Sequence, residues 1–249
     1  MKIVAIIPAR MKSSRFPGKP MKKINGKPMI EHVFNNVKKN KLISQVVVAT
    51  CDKIIFDFIR SINGIAIMTS KKHKRASDRC SEALKILEKR NKIKYDIIVM
   101  VQGDEPMINP NMINESIKPM LKNNKINVTN LVSSIKNEKD FNDKNFIKVV
   151  HDKNYNALYL SRSKIPFINF KKGINIKKQV CVIPFRREFL LKYKKMKPTP
   201  LEKIESIDML RILENGYKLF LTKTKYFSHA VDTKKDLLKV EKYLRKNKK

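Results

Sequence analysis

The chain has 249 residues, 42% of them hydrophobic, enough for one large domain with a substantial core. Its formal net charge is +34, yet the lysines run along the whole length and do not gather in a tail or block, so they read as solvated positions, with a basic nucleic-acid-binding protein as the competing class. No apolar run is long enough to span a bilayer or to act as a secretion signal, which makes a cytoplasmic protein the expectation, and Cys51, Cys80 and Cys181 form neither a CxxC pair nor a Cys/His cluster, which disfavours zinc.

The opening run Ile3-Val4-Ala5-Ile6-Ile7-Pro8 is apolar, rich in β-branched residues and stopped by proline, which predicts a strand buried on both faces. Helical spacing of Met29, Ile30, Val33, Phe34 and Val37 predicts a helix over 28–39 with Pro28 in its first turn. Strands follow at 45–50 and 65–69, with amphipathic helices at 53–62 and 77–89, and a further buried strand at 96–101. This alternation predicts an α/β domain with a mostly parallel sheet and right-handed crossovers. From 127 onward, short strand-like pieces at 128–133, 147–151, 157–161 and 179–185 suggest a mixed or antiparallel extension. A helix over 200–216, ended by Gly216, and a terminal helix over 234–245 complete the chain. The organisation expected is one domain, with a half at about 1–126 and a second half at about 127–249.

Ligands of such sheets bind beyond the carboxyl ends of the strands, and two loops at such ends carry chemistry. The loop 8–20 holds Arg10, Arg15 and Lys19, fixed cations suited to a triphosphate, with Gly18 letting backbone amides approach phosphate oxygens. Neither GxGxxG nor GxxxxGK[ST] is present, which disfavours a dinucleotide site and a Walker-type loop. The loop 102–106 places Asp104 at the end of a buried strand, poised to hold Mg²⁺ with phosphates completing its shell. Asp232, in Ala230-Val231-Asp232-Thr233, reads alone as a helix cap and gains interest only as a partner of Asp104.

In ordered combination these segments resemble the bacterial 3-deoxy-manno-octulosonate cytidylyltransferases. The resemblance rests on Ile7-Pro8-Ala9-Arg10, the stretch from Ser14 to Pro20, Asn25-Gly26-Lys27-Pro28, Val101-Gln102-Gly103-Asp104-Glu105-Pro106, Ala157 to Arg162 with Ile165-Pro166, Pro200 to Glu205, and Val231-Asp232-Thr233. It implies a nucleotide-diphospho-sugar transferase fold, CTP as donor, Mg²⁺ as cofactor and an acidic 2-keto-3-deoxy sugar as acceptor, in surface-polysaccharide synthesis. It also implies a homodimer through the extension, without membrane insertion or specific nucleic acid. By motif position Arg10, Arg15, Lys19 and Asp104 are catalytic; Ala9, Arg10, Arg15, Lys19, His73, Ser77, Arg79 and Gln102 meet the nucleotide; Gln102, Arg162, Glu205 and Asp208 meet the sugar; and Asp104 and Asp232 hold metal.

Three segments depart from the family pattern. His73-Lys74-Arg75-Ala76-Ser77-Asp78-Arg79 stands where His-x-Ser-Gly-Thr-Asp-Arg is usual, leaving Arg75 either as a substrate contact or facing solvent. Residues 179–185, Gln-Val-Cys-Val-Ile-Pro-Phe, replace His-x-Gly-Ile-Tyr-Gly-Tyr, and Asp208-Met209 replaces Glu-Gln. A pocket that loses hydrogen-bonding groups relaxes or changes its choice of hydroxyls. The departures fit a modified octulosonate, or drift with unchanged chemistry; a nonulosonate of the sialic type is the rival acidic sugar.

Overall fold

The structure, a computed structural model, describes residues 1–13, 15–168 and 175–246. Ser14, part of the basic loop motif, lies outside the described residues.

Strand β1 (Ile3–Ala9) is buried along its length. Val4 and Ile6 enter one core while Ile3, Ala5 and Ile7 enter another on the opposite face, which is why the run is apolar without alternation. A 3-10 turn at Lys19–Met21 and a hairpin of β2 (Lys23–Ile24) and β3 (Lys27–Pro28) follow. The hairpin turns on Asn25 and Gly26, both at positive φ, as a two-residue turn requires. Then come α1 (Met29–Lys38), β4 (Gln45–Thr50), α2 (Lys53–Ser61), β5 (Ile65–Met68), α3 (Ala76–Asn91), β6 (Ile97–Val101) and α4 (Pro110–Lys122). The second half contributes β7 (Thr129–Ser134), α5 (Glu138–Asn142), β8 (Lys148–His151), β9 (Ala157–Ser161), β10 (Lys177–Val180), β11 (Val182–Arg186), α6 (Arg187–Lys195), α7 (Pro200–Glu205), α8 (Leu210–Glu214), β12 (Phe220–Lys223) and α9 (Lys234–Lys246).

The main sheet runs β11-β6-β1-β4-β5, parallel except for antiparallel β11 at its edge. Apolar faces of α1, α2 and α4 cover one side, through residues such as Val33, Ile59 and Ile113. On the other side lie α3 and α6, through Leu84, Leu87 and Leu190. The second sheet, β12-β7-β10-β8-β9, is antiparallel apart from the β12–β7 pair. A bridge between Val128 and Phe185 ties it to the main sheet. The α/β reading with a mixed extension therefore holds. Among the described residues no helix is long and apolar enough to cross a membrane.

Two expected elements divide in the structure. The piece 179–185 is two strands in two sheets, because the chain leaves β10 at Cys181 and enters β11 as an edge of the other sheet. The helix expected over 200–216 breaks at Ser206, whose φ of 55° ends α7 before α8 begins. Further elements go beyond the expectation: the 3-10 turn, the β2–β3 hairpin, α4, α5, α6 and β12. Of these, α4 starts at Asn109, whose side chain accepts from the Asn111 backbone N–H at 2.9 Å.

Candidate active site

Beyond the carboxyl ends of β1 and β6 lies a cavity of about 550 Å³, lined by ten Lys or Arg residues against four Asp or Glu. It lies where an open α/β sheet binds its ligands and is in the size range of small-molecule sites. Its sign marks an anion as the occupant.

The loop after β1 is closed by the Gly18 N–H donating to Met11 O at 2.9 Å and anchored by Met11 N–H on Asp52 at 2.8 Å. Gly18 has φ of 70°, a left-handed conformation natural to glycine, and starts the turn that presents Lys19. Across the cavity the loop after β6 carries Asp104. A side chain at Gly103 would crowd Pro8 O at 3.2 Å, so glycine lets the two loops touch. The third segment of the site is 231–232, held by Val231 N–H donating to Asp104 O at 2.9 Å.

These segments converge on one ammonium. Lys19 Nζ lies 2.5 Å from Asp104 Oδ2, 3.1 Å from Asp232 Oδ1 and 3.2 Å from Val231 O. The Arg15 guanidinium reaches the same Asp232 oxygen at 2.9 Å and also donates to Asn145. Burial opposes the Lys19 charge, but the two carboxylates more than offset it and hold its pKa above the ordinary 10.5. Asp104 and Asp232, distant in sequence, are thus partners in space.

On the α3 side, Ala9, Arg10, His73, Arg79 and Gln102 line the cavity, with Arg10 exposed at its mouth. His73 pairs with Glu82. Buried Arg79 donates to Thr69 Oγ1 at 2.5 Å and to Cys51 Sγ at 3.5 Å. Ser77 does not line the cavity: it is fully buried, and its hydroxyl and N–H donate to Asp208 at 2.8 and 3.3 Å. Asp208 does line it, and burial raises its pKa. Arg75 lines the cavity but gives three of its hydrogen bonds to α7 and the turn after it. It donates to Glu202 Oε1 at 3.1 Å, to Glu202 O at 2.9 Å and to Ser206 Oγ at 2.7 Å. Glu202, in turn, is clamped by buried Arg211 at 2.6 and 2.7 Å.

On the second-sheet side, Arg162 lines the cavity and Glu205 lies behind it. Glu205 accepts from Ser161 Oγ at 2.5 Å and from Arg162 N–H at 2.9 Å, so it shapes the segment that presents Arg162. The altered segments also reach the wall: Gln179, Cys181, Ile183 and Met209 line it, with Gln179 donating to Asn130 at 2.5 Å. Two further wall groups carry no expectation from sequence. Glu105 is buried, accepting from Ser228 Oγ at 2.6 Å and Cys181 N–H at 3.2 Å, and burial raises its pKa. Lys178 is also buried, at 8% exposure. Glu105 was legible only as part of the loop motif; Lys178, one lysine among many, sends no sequence signal.

A cleft at the strand ends of a parallel sheet, with a basic loop facing a pair of carboxylates, defines a nucleotidyltransferase class of site. A family model described as cytidylyltransferase matches residues 4–224. A 3-deoxy-manno-octulosonate cytidylyltransferase of Geobacter metallireducens is 43% identical over 96% of each chain, and one of Fusobacterium nucleatum is 40% identical over 99% of this chain and 98% of its own. A solved CMP:2-keto-3-deoxy-manno-octonic acid synthetase, in complex with CTP, superposes with a TM-score of 0.88 at 32% identity, covering 99% of both chains. The chain belongs to the cytidylyltransferase family.

Proposed function

We infer that this chain activates 3-deoxy-manno-octulosonate, or a modified form of it, with CTP. The anomeric hydroxyl oxygen attacks the α-phosphorus, the α–β phosphoanhydride bond breaks, and CMP-sugar and pyrophosphate form while the hydroxyl proton is released. The observation that carries the reading is the convergence of Asp104 and Asp232 on Lys19 within a basic cavity.

The family implies Mg²⁺, and the residues fit it. Two carboxylate oxygens within 2.5 and 3.1 Å of one ammonium nitrogen face a single cation-sized point. No group of three or more His, Cys, Asp or Glu among the described residues stands ready to complete a cage, which suits an ion that takes its other ligands from phosphate and water. When bound, the ion neutralises phosphate charge and lowers the pKa of the attacking hydroxyl. Lys19, Arg15 and Arg10 would meet the triphosphate and stabilise the departing pyrophosphate. Ala9, His73, Arg79 and Gln102 shape the nucleotide half, with Ser77 acting through Asp208. Arg162, Gln102 and Asp208 address the sugar, and Glu205 positions Arg162. A homodimer and a cytoplasmic location go with this reading.

The modified sugar remains the second reading because of one feature: Ile183 and Met209 line the wall where the family pattern carries Tyr and Gln. Pyrophosphate release with Mg²⁺ and each of CTP, UTP, ATP and GTP, against 3-deoxy-manno-octulosonate, its 8-amino analogue and a sialic-type acid, tests both. Release with CTP and the parent sugar is expected. Release only with another acid overturns the parent-sugar assignment, and silence with every pair overturns the activity.

A further inference from the structure

The described part of β8 and β10 holds three buried lysines, and they are not alike. Lys148 donates to three carbonyls, Asp143 O, Phe146 O and Arg162 O, at 2.8–3.0 Å, which uses all its donors. Lys177 donates to Ser134 and Asn175 outside the cavity wall. Lys178 lies in the cavity wall with one hydrogen bond, to Ser228 O at 3.1 Å, and the Phe146 ring 4.2 Å from its Nζ. No carboxylate forms an ion pair with it among the described residues. Burial drives its pKa below the ordinary 10.5, and the opposing charges, Glu105 foremost, restore only part. A buried cation left this way is stabilised by an incoming anion.

The other cations of the cavity divide by what holds them. Lys19, Arg15 and Arg75 already face carboxylates. Arg10 and Lys12 stand at the mouth, on the loop after β1. Arg162, which like Lys178 and Lys144 comes from the second half, is held by carbonyls, Glu205 O at 2.9 Å and Lys144 O at 3.1 Å. Lys178 and Arg162 thus enter the cavity from the second half of the chain without an ion pair to a carboxylate among the described residues. In a 2-keto sugar acid the carboxylate sits on the carbon bonded to the anomeric carbon, so its anchor must lie near the carboxylates that serve the α-phosphorus. Lys178 meets that condition: Ser228, its acceptor, donates its hydroxyl to Glu105, next to Asp104, and begins the segment that runs to Asp232.

We propose that Lys178, with Arg162, binds the carboxylate of the acidic sugar and fixes the anomeric hydroxyl for attack. The proposal rests on the activity inferred above and adds a residue to it. Its test compares wild type with Lys178→Met and Lys178→Arg, reading the KM for the sugar acid, the affinity for CTP, and the binding of an analogue whose C1 carboxylate is reduced to an alcohol. The sugar KM of Lys178→Met is expected to rise on the order of ten- to a hundredfold, the loss of one charge-assisted hydrogen bond. CTP affinity stays unchanged, which also reports an intact fold. Lys178→Arg keeps most of the affinity, and the uncharged analogue binds wild type and Lys178→Met equally. An unchanged sugar KM, an equal loss on acid and alcohol, or a parallel loss of CTP affinity overturns the proposal while the activity stands. A wild type that turns over no acidic sugar with CTP overturns the activity and this role with it.

Discussion

Two clusters of ionised side chains border the cavity, and each joins segments far apart in the chain. In the first, Lys19 and Arg15 face Asp104 and Asp232, with the Lys19, Asp104 and Asp232 side chains 14–15% exposed and every group open to the cavity. In the second, Arg75 and Arg211 clamp Glu202, whose side chain is fully buried, and Arg211 stacks its guanidinium 4.5 Å from the Tyr193 ring centroid. Burial opposes the Arg211 charge, but hydrogen bonding to Glu202 raises its pKa above the ordinary value. The same chemistry of charges thus gives two different objects. Pairs that remain near water can be exchanged for a ligand's charges at small desolvation cost, whereas a buried, bidentate pair with no room for a competitor is part of the frame.

The sharpest way to break that contrast is to remove one carboxylate from each cluster. Asp104→Asn is expected to lower kcat/KM by roughly a thousandfold, several kcal/mol of lost charge stabilisation, while the thermal midpoint moves little because Lys19 keeps Asp232 and Val231 O. Pyrophosphate release and thermal unfolding on the same preparation check it; near-normal turnover removes Asp104 from the chemistry. Glu202→Gln should do the reverse, destabilising the fold by about 2–3 kcal/mol because buried Arg211 loses its bidentate carboxylate and keeps only Asp78 at 3.4 Å as an ion-pair partner. Urea unfolding of wild type and variant reads that loss. A Glu202→Gln protein as stable as wild type makes the two clusters equivalent and ends the distinction.

The clusters also differ in how far the sequence foretold them. Continuous apolar runs such as Ile3–Ala9 and Ile97–Val101 announce buried strands because they are short, rich in β-branched residues and bounded by Pro or Gly, and their ends locate the loops of Lys19 and Asp104. The pairing of Asp104 with Asp232 required the resemblance, since a carboxylate before a helix reads as a cap. The frame cluster was not legible at all. Whether Arg75 meets substrate, solvent or Glu202 depends on the break at Ser206, where a residue without glycine's freedom takes a left-handed φ of 55° and turns α7 back toward α3. Cys181 hides the change of sheet for a similar reason: 179–185 reads as a single strand because both β10 and β11 are extended, and only pairing partners, Leu131 and Val132 on one side and Val101 on the other, separate them. Lys178 is invisible in a chain with so many lysines until its burial is known.

The smallest effect belongs to the residue that straddles the comparison. Arg75 borders the cavity like the first cluster, yet its hydrogen bonds go to Glu202 and Ser206 like the second. If it belongs to the frame, Arg75→Ser, which restores the small residue of the family pattern, costs about 1–2 kcal/mol of stability, less than the full worth of its charge-assisted bonds because its side chain keeps 19% exposure and Arg211 still neutralises Glu202. The KM values for CTP and sugar then stay near wild type. If it belongs to the substrate site, stability holds and one of the two KM values rises about tenfold or more, because a lost charge-assisted contact to an anionic ligand is felt in binding before it is felt in folding. Arg75→Lys separates the cases further: a lysine supplies the charge but cannot reproduce the three-way fork to Glu202 Oε1, Glu202 O and Ser206 Oγ. It should therefore keep both KM values while losing nearly as much stability as Arg75→Ser.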